Sequence, residues 1–223
     1  MENDKMGDIS NECSDAFDNI LESRRSIRFF KDEIPPKEYV EDIIRAGLFA
    51  PYAAQAVDEN EYFRKFIVIS KNSEKMKEVA EIAKNKVKIM SEQLNAQMEE
   101  NPYLKEKAKS FSKRLELFAE KGVLGIGTAP YYIVVAEKKG VPPVEQQSLA
   151  HCLQNMWLKA ASLDLGFHLV SATAQMEENK DFCEILGINP GEWGLNGCAV
   201  GYPEEIPPET SRPAVSEVTM WID

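Results

Sequence analysis

Apolar residues recur along this chain at two periods, and the change from one to the other divides it into helices and strands. Phe17, Ile20 and Leu21 make a helical stripe within Ser14–Arg24. Pro35-Pro36 opens a second helix at the position where proline is tolerated, and Val40, Ile43, Ile44, Gly47 and Leu48 share one of its faces. Residues 63–70 are a short apolar run that predicts a buried strand. From Ser73 onward, Met76, Val79, Ala83, Val87, Met90 and Leu94 recur at three- and four-residue steps, which predicts one long amphipathic helix. Asn101-Pro102 breaks it, and Leu104, Ala108, Phe111, Leu115 and Phe118 mark the face of another helix over 103–121.

The second half reads the same way. Tyr131–Ala136 is a strand, and Val141-Pro142-Pro143 ends the connection after it. Residues 144–164 form a helix rich in Leu149, Leu153, Met156, Trp157, Ala160 and Ala161, whose small residues permit close packing against another backbone. A short strand at His168–Ser171, a helix at 176–187 and a strand at 195–201 come next. Val218, Met220 and Trp221 predict a final strand over 215–222. No internal repeat or low-complexity linker interrupts the pattern, so the expectation is a polar tail at 1–13 and one α+β domain at 14–223.

Charge narrows the candidate partners. With 26 Lys+Arg against 37 Asp+Glu, the net charge of −11 argues against nucleic acid and anionic membranes. No apolar run approaches the ~20 residues that span a bilayer. Cys13, Cys152, Cys183 and Cys198 lack CxxC spacing and read as thiols of a reducing compartment, the cytoplasm. Two histidines, His151 and His168, with scattered cysteines cannot assemble a usual zinc site. Gly125-Ile126-Gly127 is no dinucleotide fingerprint, because a helix precedes it, Pro130 stands where the third glycine belongs, and a strand comes after it.

Against this acidic background, Arg24-Arg25-Ser26-Ile27-Arg28 stands out, as does Ser211-Arg212-Pro213 near the other end. Guanidinium groups donate paired N–H bonds and stay charged at any working pH, which suits phosphate. Spacing alone leaves two readings open, a small-anion site and a solvated basic turn.

The order of the motifs extends that reading. Arg24-Arg25-Ser26-Ile27-Arg28-Phe29-Phe30 precedes Ile34-Pro35, a helix ending Ala50-Pro51, the strand Phe63–Ile69, Gly201-Tyr202-Pro203 and Ser211-Arg212-Pro213. This series resembles the nitroreductase family of FMN-dependent oxidoreductases over roughly residues 16 to 223. The resemblance implies an α+β nitroreductase-like fold, with a central, mostly antiparallel sheet flanked by helices, in an intertwined homodimer. It implies that the helix at 144–164 lies at the dimer interface and that the C-terminal strand at 214–223 reaches the partner subunit. The stretch 91–122 would cap the cavity.

By the same resemblance, Arg24, Ser26, Arg28 and Arg212 hold the FMN phosphate and ribityl chain, with Arg25 between them. Pro51, Tyr52 and Ala53 match the loop lying along the flavin ring from the neighbouring subunit, although Tyr52 stands where a small hydroxyl is usual and is equally read as a packing residue. Gln55 replaces the usual asparagine, and the acidic Val57–Tyr62 replaces the expected Q-P-W stretch. Ser171 and Ala172 occupy the place where a backbone N–H meets flavin N5. A hydride would pass from NAD(P)H to the flavin, and a nitroaromatic, quinone or similar conjugated acceptor would then take two electrons in the same cavity. Three alternatives remain: a flavin-binding sensor or carrier with little turnover; a specialised enzyme of the same fold, such as a reductive dehalogenase or a flavin-fragmenting enzyme; and a helical interaction protein without flavin.

Overall fold

The computed structural model describes residues 11–52 and 62–222. Four strands form its framework: β1 (Arg64–Ser70), β2 (Tyr131–Lys138), β3 (Gly166–Leu169) and β4 (Trp193–Gly201). They lie in the order β1-β2-β4-β3, and every neighbouring pair is antiparallel. The inner strand β2 is apolar from Tyr131 to Ala136 because both its faces are covered. Tyr131, Ile133 and Val135 point into one core, and Tyr132, Val134 and Ala136 into the other.

Helices α2 (Lys37–Leu48) and α5 (Glu145–Ser162) fill the first core with Val40, Ile43, Leu149, Leu153 and Met156. The two helices approach closely at Gly47, where a Cβ would stand 2.9 Å from Met156 Cγ and 3.0 Å from Cys152 Sγ. The buried face of α5 is therefore used within its own chain. Helices α3 (Glu74–Glu100) and α4 (Pro102–Lys121) form a hairpin that closes the second core through Met76, Val79, Ala83, Val87 and Leu115. The turn between them needs few residues, because Asn101 ends α3 and caps α4, accepting from the Leu104 N–H at 3.1 Å, with Pro102 at the first helical position. Helices α1 (Asn11–Ser23), α6 (Lys180–Leu186) and the single turn α7 (Val215–Val218) complete the fold.

The structure alters the sequence reading in three places. The terminal strand expected over 215–222 is not formed: residues 215–218 make one helical turn, and no described strand pairs with residues 219–222. A strand needs an edge to bond to, and this chain end finds none among the described residues of its own subunit. The strand expected at His168–Ser171 ends at Leu169, and Ser171–Met176 coils into a 3₁₀ helix. The helix expected over 176–187 is confined to Lys180–Leu186, starting at the Asn179 cap and ending at Gly187, whose left-handed φ of 66° glycine adopts without strain. Ala53, Gln55 and the acidic residues 57–61 lie outside the described residues.

Candidate functional site

The arginine segment is fastened to the edge of the sheet. Ser26 forms a parallel bridge with Phe167 on β3, and the Ile27 N–H donates to the Phe167 carbonyl at 3.1 Å. Further on, Phe30 bridges Pro203, with Lys31 N–H donating to the Tyr202 carbonyl at 3.0 Å. Gly166 makes the approach possible, since a Cβ there would meet Ile27 Cγ2 at 2.7 Å.

Trp157 on α5 holds the start of the segment. Its indole Nε1–H donates to the Arg25 carbonyl at 3.1 Å, its ring carries the Arg24 guanidinium at 4.2 Å, and it stacks on Phe167 at 5.2 Å. Sequence periodicity assigned Trp157 to packing alone. The signal for more was an indole, which needs an acceptor, on a half-buried helical face.

Arg24, Arg25, Ser26 and Arg28 line a cleft of about 700 Å³ whose far side is Pro207–Thr210 and Arg212. The sequence-predicted arginines therefore do converge across most of the chain. Burial lowers the pKa of Arg24 first, followed by the charges of Arg212 and Arg25. Arg25 meets Glu209 at 3.9 Å, while its Nε is buried with no hydrogen-bond partner among the described residues. Crowded cations with an orphaned donor and the Ser26 hydroxyl form a donor set that fits a phosphate dianion.

Ser26 and Arg28 also line a second cavity, of about 690 Å³, on the other side of the segment. Its floor is the end of β3 and the 3₁₀ helix: His168, Ser171, Ala172 and Gln175. Its outer wall is α3 and α4, through Met90, Phe111, Arg114 and Phe118. The 3₁₀ helix is locked from below, where Thr173 Oγ1 meets Tyr132 Oη at 2.7 Å and donates to the Val170 carbonyl at 2.6 Å. Ser171 and Ala172 open that helix, and neither N–H is taken by a backbone acceptor among the described residues. His168 is pushed down to about 4, by burial first and by Arg28 second, so the ring is neutral near pH 7. Arg114 and Gln175 were not singled out from sequence, although an arginine within an apolar helical face was a legible sign.

Pro51 and Tyr52 lie elsewhere in this subunit. The Pro51 carbonyl accepts from Ser148 Oγ at 3.1 Å, and Tyr52 Oη donates to the Lys138 carbonyl at 2.9 Å while its ring stacks on Phe63 at 4.1 Å. Neither borders the arginine cleft or the adjoining cavity.

The Nitroreductase family model matches residues 21–202, which include the arginine segment, the whole sheet and the cavity floor. The chain belongs to the nitroreductase family. FMN is the cofactor of this family, and the cleft has the donors to hold its phosphate. Among solved structures, a nitroreductase with bound FMN from Bacteroides fragilis NCTC 9343 is similar at 17% identity and TM-score 0.67, over 93% of this chain and 98% of that one. A BluB-like flavoprotein from Clostridium difficile 630 is similar at 20% identity and TM-score 0.66, over 92% and 98%. An oxidised iodotyrosine deiodinase bound to FMN and 3-iodo-L-tyrosine is similar at 20% identity and TM-score 0.63, over 89% and 96%. At these identities the likeness is one of fold. No curated protein matches the sequence.

Proposed function

We propose that this nitroreductase-family protein is an FMN-dependent oxidoreductase that passes two electrons from NAD(P)H to a flat, conjugated acceptor such as a nitroaromatic or quinone. The observation that carries the reading is the junction at Ser26 and Arg28, where a polar cationic cleft meets a largely apolar cavity. Bound FMN supplies the two-electron chemistry. Arg24, Arg28 and Arg212 would donate to its phosphate, Arg25 would add its charge beside them, and Ser26 would offer a hydroxyl. Each charge-assisted bond contributes about 1.5–3 kcal/mol, so three retain the cofactor without a covalent link. The Ser171 and Ala172 N–H groups border the space for the ring, fixed by the Thr173 anchor, and α3 and α4 form its outer wall. Neutral His168 packs beneath and leaves proton transfer to solvent or substrate.

The active unit is a homodimer in which Pro51, Tyr52, Ala53 and Gln55 of one subunit serve the ring held by the other. Support comes from the uncovered apolar side chains of Phe17 and Leu21 on α1, Phe49 after α2, and Val218, Met220, Trp221 and Ile222 in the last segment described. The cytoplasm is the proposed location, in keeping with the buried thiols Cys152, Cys183 and Cys198. Among the described residues no helix is long and apolar enough to cross a membrane. A second reading, a specialised enzyme such as a reductive dehalogenase or a flavin-fragmenting enzyme, is favoured by the cavity of about 690 Å³ walled by the long helices α3 and α4.

The purified protein is expected to be yellow, and anaerobic NADH or NADPH should bleach it until a quinone restores the colour. Arg28→Ala or Arg212→Ala should weaken FMN binding by about tenfold or more while leaving riboflavin binding nearly unchanged. Equal losses for both ligands would remove the phosphate assignment. Bleaching by dithionite but by neither nicotinamide would leave a flavin sensor or an enzyme served by another donor.

A further inference from the structure

The outer wall of the cavity carries a charge that the phosphate cleft does not use. Arg114 sits on α4 between Phe111, one turn before it, and Leu117 and Phe118, one turn after. All four line the cavity. Arg114 makes no hydrogen bond or ion pair with any described residue, and its helix is held in register. Ser112 Oγ donates to Asn95 Oδ1 at 2.7 Å, and Asn95 Nδ2 donates to Glu116 Oε1 at 3.1 Å, so the nearby carboxylate is engaged with α3. No described Asp or Glu lines the cavity, and His168 is neutral there near pH 7. In a chain of net charge −11, the only charged side chains lining the cavity among the described residues are Arg28 and Arg114. Arg28 also borders the arginine cleft, which leaves Arg114 over.

We propose that Arg114 is an anion-recognition residue, and that the acceptor taken by this cavity is a flat aromatic compound bearing a carboxylate. The proposal rests on the functional reading above and names the substrate class for it. A guanidinium fork matches a carboxylate with two parallel N–H bonds, and it does so alone, as Arg114 must. The apolar side chains on either side of it suit the ring to which the carboxylate is attached. A neutral quinone would leave the guanidinium, exposed on the wall, to water alone and gain nothing from it. The 2′-phosphate of NADPH is the other small anion that reaches such a site. It is a dianion better matched by paired cations, and Arg114 has no second cation on its own wall among the described residues.

The test uses the oxidised FMN-loaded protein and reads binding from the change in flavin absorbance, with no turnover required. 4-Nitrobenzoate and 4-nitrobenzamide share shape and differ in charge. The wild-type protein should bind the acid about tenfold more tightly than the amide. Arg114→Ala should abolish that preference with FMN affinity unchanged, and Arg114→Lys should keep part of it. Equal binding of acid and amide by the wild type, or a preference that survives in Arg114→Ala, overturns the proposal. A parallel titration with NADP⁺ and NAD⁺ separates the two anions. If Arg114→Ala loses discrimination between the dinucleotides and keeps it between acid and amide, the residue serves the donor and the assignment fails. A protein that binds no FMN refutes the functional reading and this one with it, whereas an FMN-bound protein indifferent to the carboxylate refutes this one alone.

Discussion

His168 shows how one residue's surroundings change what it can do. It stands at the end of β3, half-buried, with Arg28 as the charge that opposes its protonation. Its pKa falls from the ordinary 6.5 to about 4, so the unfolded chain takes up the proton first. Stability from this group is therefore complete above pH 6.5 and is lost as pH falls toward 4. The loss amounts to about 2 kcal/mol once solvent screening of the half-buried ring is allowed for. NMR titration should find the ring neutral at pH 6, and His168→Leu should flatten the acid limb of a denaturation series. A ring that titrates near 6.5 would remove the burial argument. At this scale the arginines were legible because Arg24, Arg25 and Arg28 lie within five residues and charge needs no periodicity to be seen. The tie from Trp157 to Arg25 was not, since an apolar pattern reports which face is buried and not what a buried N–H is bonded to.

Between elements, the most constrained junction is a cross-strand pair. Arg64 on β1 stands opposite Glu137 on β2, both side chains are fully buried, and Arg64 Nε donates to Glu137 Oε1 at 2.6 Å. The same guanidinium donates to the carbonyls of Gly47 at 2.8 Å and Ala50 at 3.2 Å, completing the last turn of α2. It reaches Pro51 O at 3.5 Å as well, so one side chain ties the sheet to the loop proposed to serve the other subunit. Arg64→Met should cost about 3–5 kcal/mol by chemical denaturation, because Glu137 is left buried and unpaired. Adding Glu137→Leu should recover most of that stability. A double variant no more stable than the single would mean that the α2 carbonyls, not the charge, are what Arg64 sustains. Strands β1, β2 and β4 were readable as apolar runs, and the long helices as stripes. The 3₁₀ helix at Ser171–Met176 was not, because short turns of that kind are fixed by tertiary anchors such as Tyr132 against Thr173.

On the scale of the whole molecule, the chain end is what one subunit cannot satisfy. Met220, Trp221 and Ile222 are 85%, 83% and 90% exposed, and no described residue of their own subunit covers them. Read as a strand from sequence, this segment has the composition of one and lacks only an edge. In the homodimer proposed above, an interface that covers it should bury well above ~2,000 Å². Removing residues 214–223 should therefore reduce dimer mass by light scattering and lower flavin retention together. A wild-type mass equal to one chain, with FMN still bound, would refute the shared site. The bridges from Ser26 to Phe167 and from Phe30 to Pro203 carry a different consequence, one of timing. Contacts between residues so far apart form late, since most of the intervening chain must already be ordered before they hold. During synthesis the arginine segment leaves the ribosome before β3, β4 and Arg212 and waits for them to emerge. On the proposed assignment of the cleft to the FMN phosphate, cofactor capture then waits until Arg212 is in place, and a translation product truncated before it, however well its helices form, has no complete cleft with which to compete for flavin.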